Sequence, residues 1–338
     1  MPHLVLDTNE LQRDWLLVGL KYQLIRLQPF YPPIQVSVPA PVMCELVANH
    51  AREVARLGGS IETGRGKLAR LGLRVEEQPL PSFDYATYLG ERMDEVLGIS
   101  VLPWPRISHE ELVARAVGRV APFNENGGGY RDSLVWASVL ELVGSGDQVV
   151  LVSNDKCFVD VATGVLHPDL VAEVAQLPGS VELARNLGDW LLSSFPLPVA
   201  NLDEALIESR DREFIDWFMQ SDFQSFIQPT GDSLGLGHDL PCLDILECEW
   251  NGMINRVEVR YLDNYCTVIE YDIGQSVTFE AEIRGTPLVP SAWSVEESSI
   301  PGRSDVKGVA EMIVRVAVLD GDEDFSVEEL HWRLTDSP

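Results

Sequence analysis

The chain has 338 residues, of which 45% are hydrophobic and 23% charged, and its formal net charge is −28. That length holds two domains with a sizeable core, and no apolar run reaches the roughly 18 residues that a bilayer span needs. Nucleic-acid binding by simple electrostatic attraction leaves a basic footprint, so the charge excludes a plain, tight binder of that kind.

The acidity is uneven: residues 1–200 carry 16 Lys and Arg against 24 Asp and Glu, and residues 201–338 carry 9 against 29. The five cysteines include no CxxC pair and the six histidines no HExxH spacing, which argues against a disulfide framework or a structural zinc. The start, "MPHLVLDTNE", lacks the basic and long apolar regions of a secretory leader. A cytoplasmic protein with no membrane association is expected.

In chain order, "HLVLD" (3–7) is strand-like, and residues 9–28 carry Leu16, Leu20, Leu24 and Leu27 at helical spacing. "IQVSVP" (34–39) is a second strand, followed by a helix from about Pro41. A mostly helical stretch to about residue 118 is expected to break at Gly58-Gly59, Pro79–Pro81 and Pro103–Pro105. Ser108 and Glu111 have capping-box spacing. After the glycines at 127–129, "RDSLVWASVLELV" (131–143) reads as a buried helix, and "QVVLVS" (148–153) as a third strand. Strands alternating with helices imply a mainly parallel sheet.

The pattern then changes. "FPLPV" (195–199) reads as a hinge, 202–227 as acidic helix, and "PTGDSLGLGHD" (229–239) as linker. Beyond it, period-two alternation predicts antiparallel strands, with turns at Asn251-Gly252 and Gly274 and a last long strand over 308–321. The expected organisation is an α/β domain over 1–196, a helical acidic linker over 197–238 and a smaller, mainly antiparallel β domain over 239–338.

Four carboxylates fall just past strand ends or in first helical turns: Asp7, Glu45, Asp132 and Asp155. Taken singly each has a plain reading. Asp7 and Asp132 suit helix N-termini, and Asp155 suits a turn. In a parallel sheet, however, these positions share one edge. Two carboxylates about 4 Å apart repel by roughly 4 kcal/mol at an effective dielectric of 20, so convergence calls for a cation. Oxygen ligands without Cys or His suit Mg²⁺ or Mn²⁺, and such sites serve in-line phosphoryl displacement.

"LVLDTN", Glu45 in "VPAPVMCELVANH", Asp132 in "GGGYRDSLVWASVLEL" and "VVLVSNDKCF" together resemble the four acidic motifs of a PIN domain. The long helical region before "PFNENGGGYRD" is similar to that of a larger bacterial subgroup rather than to the compact toxins. The resemblance spans about 1–195. It implies a PIN-like parallel sheet flanked by helices, with Asp7, Glu45, Asp132 and Asp155 as catalytic metal ligands around Mg²⁺ or Mn²⁺. Asn9 and Ser153 stand where the family has small polar residues that hold the first acid and the closing loop. Asp160 is a poorer candidate. Arg131 either contacts substrate phosphate or orients a nearby acid.

The activity so implied is endoribonuclease, in a toxin or defence effector with a homodimer or an inhibitory partner protein. A structure-specific DNA nuclease and an inactive scaffold are the alternatives. "GRGK" (64–67) lacks the glycine and the Ser/Thr of a phosphate loop. Trp217, Phe218, Phe223 and Phe226 could stack bases, although domain packing or dimerisation fits an acidic helix better. The acidity of the β domain either restrains activity near the site or simply aids solubility.

Overall fold

The computed structural model describes residues 2–26, 34–73, 81–124, 126–160, 164–194, 204–221, 228–231, 233–237, 240–261, 267–285, 289–320 and 325–335. The chain divides into two compact units. One comprises Met1–Val18 with Tyr22–Trp190, and the other Gly19–Lys21 with Leu191–Pro338.

The first unit is built on a five-stranded parallel sheet in the order β3-β2-β1-β4-β5. Its strands are β1 (Pro2–Leu6), β2 (Gln35–Pro39), β3 (Ser100–Leu102), β4 (Gln148–Val152) and β5 (Ser180–Ala184). The continuous apolar runs form the centre, where Leu4, Val5, Leu6 and Leu151 are fully buried, as strands covered on both faces require. The two edge strands went unrecognised in the sequence because they are short and partly exposed: β3 shows no buried residue and β5 ends in its only one.

Helices α1 (Thr8–Leu11) and α2 (Leu20–Arg26) replace the single helix expected over 9–28. Asp14 ends the first by accepting the backbone N–H groups of Leu16 and Val18, at 3.2 and 2.7 Å, and Leu17 takes a φ of 51°. In the other direction, α3 (Ala40–Arg70) continues through Gly58-Gly59, where an interruption was expected. Glycine lowers helix propensity without forbidding the conformation.

Next come α4 (Tyr85–Glu91), a π-helical turn (Arg92–Leu97), and α5 (His109–Gly118) with the expected Ser108–Glu111 capping box. The buried helix α6 (Tyr130–Gly144) leads into β4, and α7 (Pro168–Val174) and α8 (Leu187–Ser194) complete this part of the chain.

The second unit is antiparallel. Strands β6 (Cys242–Tyr261), β7 (Thr267–Arg284), β9 (Arg303–Asp320) and β10 (Phe325–Leu334) lie in the order β10-β9-β7-β6, with β8 (Ser294–Glu297) beside β9. Two expected turns are absent. β6 passes through Asn251-Gly252 with only a register shift between Trp250 and Ile254, and β7 passes through Gly274. A Cβ at Gly274 would lie 2.2 Å from Asn251 Oδ1, so the glycine makes room for the bulged asparagine and does not reverse the chain.

Helix α9 (Glu204–Gln220) lays Phe214 and Phe218 on a core of Val259, Ile269, Tyr271, Ile273, Val314, Val316 and Val318. Phe214 stacks on Tyr271 at 4.6 Å. Phe218 thus lies in the core of this unit, and Trp217 packs against it partly buried. Phe223, Phe226 and the expected hinge at 195–199 lie outside the described residues. Within the expected linker, Leu234 is buried in a second cluster with Val277, Phe279 and Met312.

Candidate metal centre

Strands β1 and β4 pair in parallel with Leu6 opposite Val152, so the residues that follow them emerge side by side. The strand order reverses direction between these two strands, which is where open α/β sheets gather ligands. Asp7 follows β1 directly. Its backbone N–H still bonds Val152 at 3.1 Å, and its side chain caps α1 through the Thr8 N–H at 2.7 Å. The capping role and a site role are thus compatible. The other carboxylate oxygen accepts the Ser153 hydroxyl at 2.5 Å.

Ser153, fully buried, ties the loop after β4 together. While it donates to Asp7, it accepts the Asp155 N–H at 3.1 Å. Asn9 holds the same loop by accepting the Asn154 backbone N–H at 3.3 Å through its side-chain oxygen, and Arg185 Nε donates to the side-chain Oδ1 of Asn154 at 2.8 Å. Asp155 caps the short 3₁₀ turn Lys156–Phe158.

Asp132 stands in the first turn of α6. The helix starts at Gly129, whose φ is 116°, a conformation that costs glycine little. A Cβ there would lie 2.4 Å from the Pro122 carbonyl oxygen. Of the three loop glycines this one is imposed by sterics, and it sets where Asp132 points.

Asp132, Asp155 and Cys157 place one ligand atom each within 4.8 Å of one another. Asp7 is 6% exposed. Burial pushes its carboxyl up to about 6; the Ser153 and Thr8 hydrogen bonds pull it down, and the charges of Asp155 and Asp132 raise it again. Asp132 is also held above the usual carboxylate range, first by burial and then by Asp155, with Arg131 and the Cys157 thiol opposing. Cys157 is pushed well above the ordinary thiol range by burial and then by Asp132, Asp155 and Asp7. Its thiol hydrogen-bonds Asp132 and Asp155.

Glu45 stands differently. It accepts the Thr8 hydroxyl at 3.0 Å and is ion-paired with Arg131, and neither it nor Asp7 is among the three grouped donors. Arg131 pairs with this acid, while its side chain remains 62% exposed. Asp160 does not join the cluster: its backbone closes the loop ending at Val165 and Gly164. Cys157 lies two residues past Asp155, and its place beside the acids depends on the turn between them. Thr8, Asn154 and Arg185 carried no sequence signal beyond their neighbours.

The four acids thus mark one sheet edge, and the fold that carries them matches a known family: the PIN domain model aligns with residues 4–158. This segment is a PIN domain. No curated protein and no solved structure matches the chain. The PIN match gives the first unit a nuclease-type fold, and the acidic cluster lies where the strand order of its sheet reverses. Among the described residues no helix is long and apolar enough to cross a membrane.

Proposed function

We propose that the PIN domain of this chain is a divalent-cation-dependent nuclease that hydrolyses phosphodiester bonds in RNA. One observation carries the reading. Asp7, almost wholly buried, has two further carboxylates acting on it, and its carboxyl is pushed up to about 6. A buried carboxylate beside like charges needs a compensating cation.

The carboxylates fit Mg²⁺ or Mn²⁺: Asp132 and Asp155, grouped with the Cys157 thiol, would hold the ion through hard oxygens together with Asp7, on which both their charges act. Glu45 completes the acid set, its charge balanced by Arg131. When bound, such an ion polarises a phosphoryl oxygen and lowers the pKa of water. The chain's own residues supply position. Ser153 and Thr8 fix both oxygens of Asp7, so this ligand is preorganised before any ion arrives. Asn9 and Arg185 fix the loop that presents Asp155, the more accessible carboxylate. Arg131, with its exposed guanidinium, offers paired N–H donors to a phosphate in competition with Glu45. RNA as substrate follows from the family resemblance, and a cytoplasmic setting from cysteines without a disulfide pattern.

The test is cleavage of labelled single-stranded RNA and DNA by wild type and Asp132→Asn, with Mn²⁺, Mg²⁺ or EDTA. The expected result is RNA cutting that needs the metal and is lost in the variant. Preferential cutting of DNA would change the substrate, and no cutting together with no metal binding would leave a PIN-fold scaffold.

A further inference from the structure

Helix α3 has two unlike halves. Its buried residues, Pro41, Val42 and Leu46, all lie near its start, and His50 stacks on Tyr85 with ring centroids 3.9 Å apart. From Ala51 to Arg70 no residue is buried. Val54, Leu57 and Ile61 are nevertheless apolar, and 42%, 47% and 46% exposed, and Leu71 just past the helix is 76% exposed. Positions 54, 57, 61, 64, 68 and 71 alternate steps of three and four, the seam spacing of a helix that packs against another helix. Val, Leu, Ile, Gly, Leu and Leu occupy them.

The flanks of this seam run against the charge of the molecule. Residues 51–70 carry Arg52, Arg56, Arg65, Lys67 and Arg70 against Glu53 and Glu62, in a chain whose net charge is −28. The two glutamates are each paired within the helix, Glu53 with Arg56 and Glu62 with Arg65, both at 2.6 Å. Val54, Leu57, Ile61 and Leu71 of the seam are exposed, Gly64 and Leu68 half-buried. Arg52, Arg56, Lys67 and Arg70 give the exposed margin its positive charge, Arg65 being 19% exposed. Four glycines between Gly58 and Gly66 weaken the helix, and a Cβ at Gly59, Gly64 or Gly66 would meet nothing within 4 Å. Another backbone has room to approach there.

We infer that the outer face of α3, from Val54 to Leu71, docks an acidic amphipathic helix of a partner protein. The apolar seam supplies the row of anchors that helix recognition uses, and the basic margin selects a partner of opposite sign. A second copy of this chain would bring the same positive margin against itself. A nucleic acid would meet the positive charge but leave the apolar row in water. The face begins about two and a half helical turns beyond Glu45, and its occupancy does not depend on nuclease activity.

The full-length chain is titrated against a fluorescent helical peptide with Leu at the a and d positions and Glu at e and g, and against its twin with Lys in place of Glu. The acidic peptide should bind at least tenfold more tightly than the basic one and weaken with salt. The double variant Leu57→Ser/Ile61→Ser should lose at least tenfold in affinity while keeping the wild-type circular dichroism. Val309→Ser, which removes an exposed apolar side chain of β9, should leave binding unchanged.

Equal binding of both peptides, no binding, or binding indifferent to the double variant would overturn the assignment. Sedimentation as a dimer that Ile61→Asp dissolves would give the face to a second copy instead. RNA binding lost in Arg56→Gln/Arg70→Gln but untouched by Leu57→Ser/Ile61→Ser would make it a nucleic-acid surface.

Discussion

Replacing Asp7 by asparagine should stabilise the metal-free protein at neutral and alkaline pH. In the folded chain Asp7 titrates near 6, against an ordinary value of 3.8. The folded state therefore holds this proton more tightly than the unfolded chain does. The resulting stabilisation is complete below the unfolded value and is lost as pH rises through about 6. A rise from 3.8 to about 6 corresponds to roughly 3 kcal/mol, of which roughly 2–3 kcal/mol is lost between pH 4 and pH 8.

Asparagine does not ionise, so the variant escapes this loss. Relative to the neutral acid it gives up about 1 kcal/mol of hydrogen bonding, because the amide NH₂ cannot accept where a carboxyl oxygen does, and Thr8 N–H and the Ser153 hydroxyl need one acceptor oxygen each. In EDTA at pH 8 the variant should therefore be the more stable by about 1–2 kcal/mol, and at pH 4 the order should reverse. Urea unfolding followed by circular dichroism reads this as the wild-type-minus-variant difference, in which other titrating groups cancel. A difference that is the same at pH 4 and pH 8 would refute the claim that burial raises Asp7.

Ser153→Ala removes the shortest hydrogen bond to Asp7 and should cost about 1–3 kcal/mol at pH 8 by urea unfolding; a change within error would show that the bond is not formed. Gly129→Ala forces a Cβ against the Pro122 carbonyl at a positive φ and should lower stability by about 2–4 kcal/mol. It should also abolish Mn²⁺ binding measured by calorimetry, because Asp132 follows three residues later. Mn²⁺ affinity should fall about tenfold per pH unit below 6 as protons compete for Asp7; a flat profile between pH 5 and pH 7 would remove Asp7 from the ligand set.

The centre of the sheet and the positions of the acids were legible in the sequence because both depend on local signals. Runs such as "HLVLD" and "QVVLVS" are apolar without a break, as only strands buried on both faces need to be, and each ends in a polar loop. Long-range packing settled what the sequence left open. The apolar spacing over 9–28 included Leu16, which is exposed in a loop, so periodicity there reported no helix face. Gly58-Gly59 and Gly274 carry the usual marks of a break, yet sit within a helix and a strand whose neighbouring residues hold the geometry.

At the site, the carboxylates announced themselves by type and place. The Glu45–Arg131 pair depends on how α3 and α6 lie against each other, and Cys157 on the turn that follows Asp155. No short stretch of sequence encodes either.

The central claim is that Asp7, Asp132 and Asp155 together hold a divalent cation. Isothermal titration of Mn²⁺ into full-length wild type and Asp132→Asn at pH 7.5 tests it directly. The account predicts saturable binding by wild type that Mg²⁺ displaces and EDTA reverses, with at least a tenfold loss in the variant. Equal binding by both proteins, or none by wild type, would contradict it.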